Sequence, residues 1–271
     1  MILCRQRVDS WGAAAVPDGG AFLLRFSAAS FCATLLLTFA PYTHADIVGT
    51  VTLQGKTNSH DETFMAQASG CGESPIRHTE NWKIGPKGEL GDVVVWIVDP
   101  KLNDSGPVDS NVRPPEIELK QIGCRYIPHV AAVQAGVLFK VTNGDPTLHN
   151  VHAKVYDGPL KPPGADVPGF NFGQTRQGQT DERKFDQPGI YTLQCDVHSW
   201  MQCWVYVLPA GCFGVTGVDG VFNLRGAAEL EDGDYKIDAW HPRFAQTLEQ
   251  TIHVKNGTAN VNFTFDGVKS F

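Results

Sequence analysis

The stretch GIYTLQCDVHSWMQCWVYVL, residues 189–208, decides how this chain is read. Its first part alternates. Tyr191, Leu193 and Cys195 fall on one face, and Thr192 and Gln194 fall on the other, which is the period of a β-strand. Its last part, CWVYVL (203–208), reads as a second strand. The turn between them carries a thiol, an imidazole and a thioether: Cys195, His198 and Met201. Met201 is one of only three methionines in 271 residues, so its place beside a Cys and a His is informative. Thiolate and thioether are soft ligands, and imidazole suits several first-row metals. Three such groups on one tight loop can converge on one point, and a fourth ligand must then come from elsewhere in the chain.

That fourth group is supplied by NGDPTLHNVH (143–152), which contains His149. It follows directly on VLFKVTN (137–143), a strand pattern with Val137, Phe139 and Val141 inward and Lys140 and Thr142 outward. Two imidazoles and a thiolate in a plane, with a weak axial Met, form the blue-copper arrangement. A ligand set fixed by the fold changes little when the ion changes charge, so electrons pass with little reorganisation. Zinc also takes Cys and His, but Met is a poor zinc ligand. The competing reading pairs Cys195 with Cys203 and leaves His198 as a solvated loop residue. His129 and His152 lie in the same segments, as a second site, a replacement ligand, or structural and surface residues. Along a strand His152 points away from the His149 face. His241 reads as a packed or surface His. Trp200 and Trp204 read either as an electron-exit surface or as ordinary apolar cover.

Working outward, everything past residue 45 has a β texture, with Gly, Pro, Asn and Asp between short runs. IVGTVTL puts Ile47, Gly49, Val51 and Leu53 on one face. VVVWIV (93–98) is continuously apolar, as expected of a strand covered on both sides. Pro and Gly across 159–173 predict a long loop, and 58–82 is less regular, with room for a short helix. A second block begins near Pro209, Ala210 and Gly211. It contains VTGVDGVFNL, DYKIDAWH with Tyr235, Ile237 and Ala239 on one face, and ANVNFTF with Val261, Phe263 and Phe265 on one face. A unit of this size is marginal alone, so it is expected to pack on the first.

The amino terminus reads as an export signal. Arg5, Arg7 and Arg25 precede the apolar run FSAASFCATLLLTFA (26–40), and the segment ending in Thr43, His44 and Ala45 has small residues at the two positions a signal peptidase reads. The run is too short to stand across a bilayer. Cleavage after 45 would leave a chain with no membrane span, in the periplasm or secreted. A net charge of −7, with no long block of one sign, argues against a nucleic-acid partner. No phosphate-cradling glycine loop is present, no nucleophile sits beside a base, and a saturated ligand set leaves no open catalytic position. The chain is therefore expected not to be an enzyme. Beyond residue 45 the cysteines are Cys71, Cys124, Cys195, Cys203 and Cys212. An odd number in an exported protein implies one thiol with another task, and Cys195 is that one. Of the three pairings open to the other four, Cys71–Cys124 with Cys203–Cys212 is favoured.

The segments GCRYIPHVAAVQAGVLFKVTNGDPTLHNVH and GIYTLQCDVHSWM together resemble the cupredoxins, the plastocyanin and amicyanin group especially. Tyr126, Pro128, Gly136, Asn143, Asp145, His149, Asn150, Cys195, His198 and Met201 stand where that pattern has its marks. The short gap between His198 and Met201 is amicyanin-like. The resemblance covers roughly 117–208, and VVVWIVDP is similar to exported proteins of the methylamine-utilisation type. It implies an all-β fold, a Greek-key cupredoxin sandwich over 46–209 with its core at 117–208. It also implies one type 1 copper ion held by His149, Cys195, His198 and Met201, with Asn150 bracing the ligand loop. His198 would be the exposed edge through which electrons leave. In those relatives a Pro often follows the second ligand His, whereas here Ser199 does. Residues 210–271 resemble the small transthyretin-like, carboxypeptidase-regulatory sandwich, which is also grouped with carbohydrate-binding-like folds. The function implied is carriage of single electrons between periplasmic partners such as a c-type cytochrome or a dehydrogenase. Two alternatives stay open: a copper carrier or storage protein, and a carbohydrate- or surface-binding module with a vestigial copper site.

Overall fold

The computed structural model describes residues 46–57, 62–64, 70–71, 76–78, 80, 82–98, 117–158, 164–209, 212–225 and 230–270. The expected leader, 1–45, lies outside them. Strands follow one another along the chain: β1 (Asp46–Gln54), β2 (Glu62–Phe64), β3 (Ile76–His78), β4 (Val94–Val98), β5 (Glu118–Gln121), β6 (Tyr126–Ile127) and β7 (Val130–Gln134). Then come β8 (Phe139–Asn143), β9 (His149–Val155), β10 (Asp166–Gln174), β11 (Thr180–Arg183), β12 (Gly189–Gln194) and β13 (Gln202–Leu208). Last are β14 (Phe213–Val215), β15 (Val221–Arg225), β16 (Gly233–Trp240), β17 (Leu248–Val254), β18 (Ala259–Asn260) and β19 (Phe263–Asp266). The fold is all-β; a short 3-10 turn at Gly267–Lys269 is the one helical element among the described residues. No helix among them is long and apolar enough to cross a membrane.

The strands build two stacked sandwiches. In the first, the sheet β10-β9-β12-β13-β7 faces the sheet β11-β8-β5-β6. The pairs β13–β7 and β5–β8 are parallel and the other pairs of these sheets antiparallel. Between the sheets lies a core that includes Tyr126, Phe139, Val141, Val151, Leu193, Val205 and Val207. Each fully buried side chain of this kind contributes about 1.5–3 kcal/mol, and the alternation read from the sequence is what turns them all inward. Phe139, Phe170, Phe185 and Tyr191 stack in series, with ring centroids 4.3–6.1 Å apart.

The second sandwich corrects the expected domain limits. Residues 46–98 were assigned to the first domain, but β1 pairs with β15, β18 and β19, and β4 lies between β14 and β16. The first sandwich is thus an insertion between β4 and β14 of the second. Period-two alternation says that a strand has a buried face, but not which sheet buries it. Gly49 is needed here for close approach: a Cβ at this position would lie 1.6 Å from the Val261 carbonyl oxygen. The continuous apolar run of β4 is covered on both faces, as its composition predicted. Val95 and Ile97 enter the second core, while Val94 and Trp96 join a third cluster with Val130, Trp204, Tyr206, Leu208, Phe213 and Trp240. This third cluster packs the two sandwiches together, with Trp96 and Trp240 edge-on to Tyr206 at 4.9 and 5.3 Å.

Two local readings also change. Residues 166–173 of the expected loop belong to the edge strand β10, which has a register irregularity between Asp166 and Asn171. Pro168, which has no N–H to donate, and Gly169, at φ +78°, both sit in that irregularity. Edge strands and bulges are where a sheet tolerates Pro. Within 58–82, the described strands β2 and β3 form an antiparallel pair rather than a helix.

Candidate metal centre

The site grows from the ends of β8, β9 and β12. Asn143, fully buried at the end of β8, shapes the turn that follows it. Its Oδ1 accepts from the Asp145 amide at 2.9 Å, and its Nδ2 donates to the Thr147 carbonyl at 2.8 Å. The turn delivers His149 as the first residue of β9, with no solvent exposure. Its Nε2 lies 2.9 Å from Asp145 Oδ2. A proton on Nε2, donated to that carboxylate, leaves the Nδ1 lone pair free to bind. The same carboxylate accepts from the amides of Gly123 and Cys124, both at 2.8 Å.

Cys195 follows β12 directly. The loop that leaves it closes on itself: the Met201 amide donates to the His198 carbonyl at 2.8 Å, and the Cys195 amide donates to the Met201 carbonyl at 3.2 Å. Cys195 keeps a free thiol, so it is not bridged to Cys203. Asn150 braces this loop as the resemblance implied. Its backbone N–H donates to Cys195 Sγ at 3.3 Å, its Oδ1 accepts from the Asp196 amide at 3.2 Å, and its Nδ2 donates to Asn171 Oδ1 at 2.9 Å.

The result is convergence. His149 Nδ1 and His198 Nδ1 are 3.2 Å apart, and Cys195 Sγ is 3.6 Å from His198 Nδ1. The three ligand atoms all lie within 4.8 Å of one another. These separations fit one ion. Two nitrogens bound at about 2.0 Å with about 110° between them stand about 3.3 Å apart. A nitrogen and a thiolate at about 2.0 and 2.3 Å, some 115° apart, stand about 3.6 Å apart. All three residues are buried, and Met201, in the same loop and the same core cluster, is 1% exposed. Burial first, and then the neighbouring His149, hold His198 below the usual histidine range. Both effects favour the neutral, ligating imidazole.

The expected exposed edge at His198 is corrected: the residue is 2% exposed. Trp200 lies beside it, with ring centroids 5.3 Å apart, and anchors itself by donating from Nε1 to the Cys124 carbonyl at 3.1 Å. The Cys71–Cys124 disulfide, paired as expected, brings both sulfurs within 4.8 Å of a His198 ring nitrogen. The other expected bridge, Cys203–Cys212, is not formed. Cys203 holds a free, buried thiol, and Cys212 takes part in a different disulfide. The reason is facing: Cys203 shares the inward side of β13 with Val205 and Val207 in the first core, whereas Cys212 belongs to the core of the second sandwich. The alternation of 203, 205 and 207 carried that signal.

Among the described residues, His129, His152 and His241 stay outside this group. His152 ties the ligand loop to β10, pairing with Asp196 at 3.1 Å and Asp166 at 3.0 Å on the face opposite His149. His129 packs edge-on to Trp204 at 4.9 Å, and burial pulls its pKa down to about 4. His241 stacks on Trp82 at 5.4 Å and is pulled down to about 3. Reading the sequence missed the roles of Asp145 and of the disulfide. Asp145 carried a signal, standing four residues before a ligand His and two after a turn-forming Asn. The cover from Cys71 carried none, because it arrives from a remote segment.

No protein-family model matches the chain, and no curated protein does either. Among solved structures, a purple cupredoxin from Nitrosopumilus maritimus is similar at 21% identity. That match covers 34% of this chain and all of the other, with a TM-score of 0.29. An oxidised proline-to-glycine variant of amicyanin is similar at 22% identity over 36% of this chain and 88% of that one, with a TM-score of 0.27. A copper-containing nitrite reductase from Thermus scotoductus is similar at 21% identity, with a TM-score of 0.28. There the match spans 41% of this chain and about a quarter of the reductase, 27%. The case for the site rests on its own geometry.

Proposed function

We propose that this protein is an exported carrier of single electrons, built on one type 1 copper ion held by His149, Cys195, His198 and Met201. The observation that carries the reading is the meeting of His149 Nδ1, Cys195 Sγ and His198 Nδ1 in a buried pocket, with separations that suit one ion. When bound, copper supplies the one-electron couple. The chain's own residues do the rest. Asp145 fixes the His149 tautomer and ring orientation. The Asn150 amide points at the sulfur and stabilises negative charge on it. The closed loop 195–201 and the surrounding core resist rearrangement between charge states, which keeps reorganisation small.

The partner on this reading is a c-type cytochrome or a periplasmic dehydrogenase. The acidic chain suits a partner with a basic patch. The second sandwich is read as a transthyretin-like docking module. The copper-carrier alternative calls for an exposed, labile site, and burial of all four ligand residues counts against it while the Cys71–Cys124 bridge is closed.

The test is to load the protein with cupric ion and record its visible and electron paramagnetic resonance spectra. Strong thiolate-to-copper charge transfer, lost in Cys195→Ser, is the expected result. A colourless complex with ordinary tetragonal resonance sinks the electron-carrier reading.

A further inference from the structure

The bridge above the site has chemistry of its own. Cys71 Sγ, Cys124 Sγ and a His198 ring nitrogen lie within 4.8 Å of one another, and so do Cys124 Sγ, an Asp145 carboxylate oxygen and a His149 ring nitrogen. One sulfur of the disulfide therefore stands beside both imidazoles of the metal centre. The loop that carries it is held from both ligand segments, by Asp145 on the His149 side and by Trp200 on the His198 side. Those anchors use the backbone of Cys124, so they persist when the disulfide opens.

We infer that reduction of Cys71–Cys124 creates a second, thiolate-rich ligand set, Cys71, Cys124 and His198, that takes a cuprous ion. The reductant is an external dithiol. The Cys71–Cys124 bond breaks, two S–H bonds form with the two protons and two electrons the dithiol gives up, and the dithiol closes its own disulfide. A soft monovalent ion then displaces the thiol protons, since thiolates select cuprous copper. Because His198 belongs to both sets, they compete for one ion rather than holding two. The chain thus has two copper-handling states: bridged, a closed centre suited to electron carriage; reduced, a soft centre suited to holding or passing the ion. This inference rests on the copper reading above.

The experiment is an anaerobic cuprous titration of the full chain against a chromogenic cuprous chelator, before and after dithiol treatment, for wild type and C71S/C124S. Reduction is expected to tighten cuprous binding by wild type roughly tenfold or more and to leave the double variant unchanged. X-ray absorption at the copper edge should count two short thiolate sulfurs and one imidazole in reduced wild type, against one short thiolate sulfur, from Cys195, and two imidazoles in the bridged protein, where Met201 is a long, weak neighbour; this readout needs no variant to fold. Equal binding before and after reduction overturns the inference, and so does tighter binding with one short thiolate sulfur and two imidazoles still at the ion. The parent reading fails separately, as a colourless cupric complex of the bridged protein. The thiol-dependent cuprous gain stands or falls apart from that colour, and Cys195→Ser should retain it.

Discussion

Replacing Asp145 tests whether a buried carboxylate organises the metal centre or merely fills space. It accepts three hydrogen bonds, from the Gly123 and Cys124 amides and from His149 Nε2, and it is 6% exposed. In Asp145→Ala three donors, two buried and one half-buried, lose their acceptor at once. Hydrogen bonds to a charged group contribute about 1.5–3 kcal/mol each, and partial refilling by water offsets some of this, so a loss of about 3–6 kcal/mol is expected. Asp145→Asn separates the two roles. Its single carbonyl oxygen, placed where Oδ2 stands, serves the Cys124 amide and His149, while its amide group meets the Gly123 N–H. That variant should lose only about 1–3 kcal/mol of stability. It also loses the negative charge that holds the His149 tautomer, so cupric affinity should fall about 10–100-fold. Urea unfolding with disulfides intact measures the first quantity, and chelator competition the second. Unfolding of Asp145→Ala within about 1 kcal/mol of wild type contradicts the packing argument. Unchanged metal affinity in Asp145→Asn contradicts the positioning argument even if stability falls.

Three further outcomes follow from the same structure. Met201→Leu conserves volume in the first core, so stability should change by less than about 1.5 kcal/mol. Loss of the thioether should nonetheless shift the copper spectrum and raise the midpoint potential, and an unchanged spectrum removes Met201 from the ligand set. Gly49→Ala forces a Cβ against the Val261 carbonyl and should cost about 3 kcal/mol or more, seen as a lowered melting temperature. Burial holds His129 at about 4 and His241 at about 3 in the folded protein, against 6.5 ordinarily. Depressed values mean that the unfolded chain binds these protons first. The contribution is complete above pH 6.5 and disappears as pH falls through about 4 and then about 3. Melting temperature should therefore drop between pH 7 and about 4.5, less steeply in His129→Gln; a flat profile refutes it.

Much of the site was legible because its signals are local. A soft-ligand loop at the end of an alternating strand, and a His just past a second such strand, specify chemistry and direction together. Phe139 and Val141, and Tyr191, Leu193 and Cys195, enter the first core as their spacing required, and Val137 is buried just ahead of β8. What stayed hidden depends on partners far away in sequence. Ile47 and Val51 alternate as a strand should, yet nothing in that period names β15 or β19 as the neighbours. Pro168 and Gly169 read as loop because local propensity disfavours a strand there; an edge position and a bulge overrode it. The closure over His198 comes from residues 71 and 124, and only the folded chain brings them to the loop.

The insertion explains why a ligand loop on one sandwich depends on the other. The chain leaves the second sandwich after β4 and re-enters it at β14, and these two strands are hydrogen-bonded neighbours, Phe213 opposite Trp96. Entry and exit of the insertion are therefore fixed side by side. From the exit, β13 runs directly back to Met201. Along β13 the inward residues Cys203, Val205 and Val207 belong to the core beneath the metal centre, and the outward residues Trp204, Tyr206 and Leu208 belong to the interface with the second sandwich. One strand thus joins both packings, and a shift at the interface moves the Met201 end of the ligand loop with it. Asn150 and Asp145 oppose such a shift from β9 and from the turn before it. On the proposed electron-carrier reading, a centre that must keep its shape while its charge changes gains from that arrangement, because displacement at any one of the three converging residues is resisted by contacts made through the other two segments.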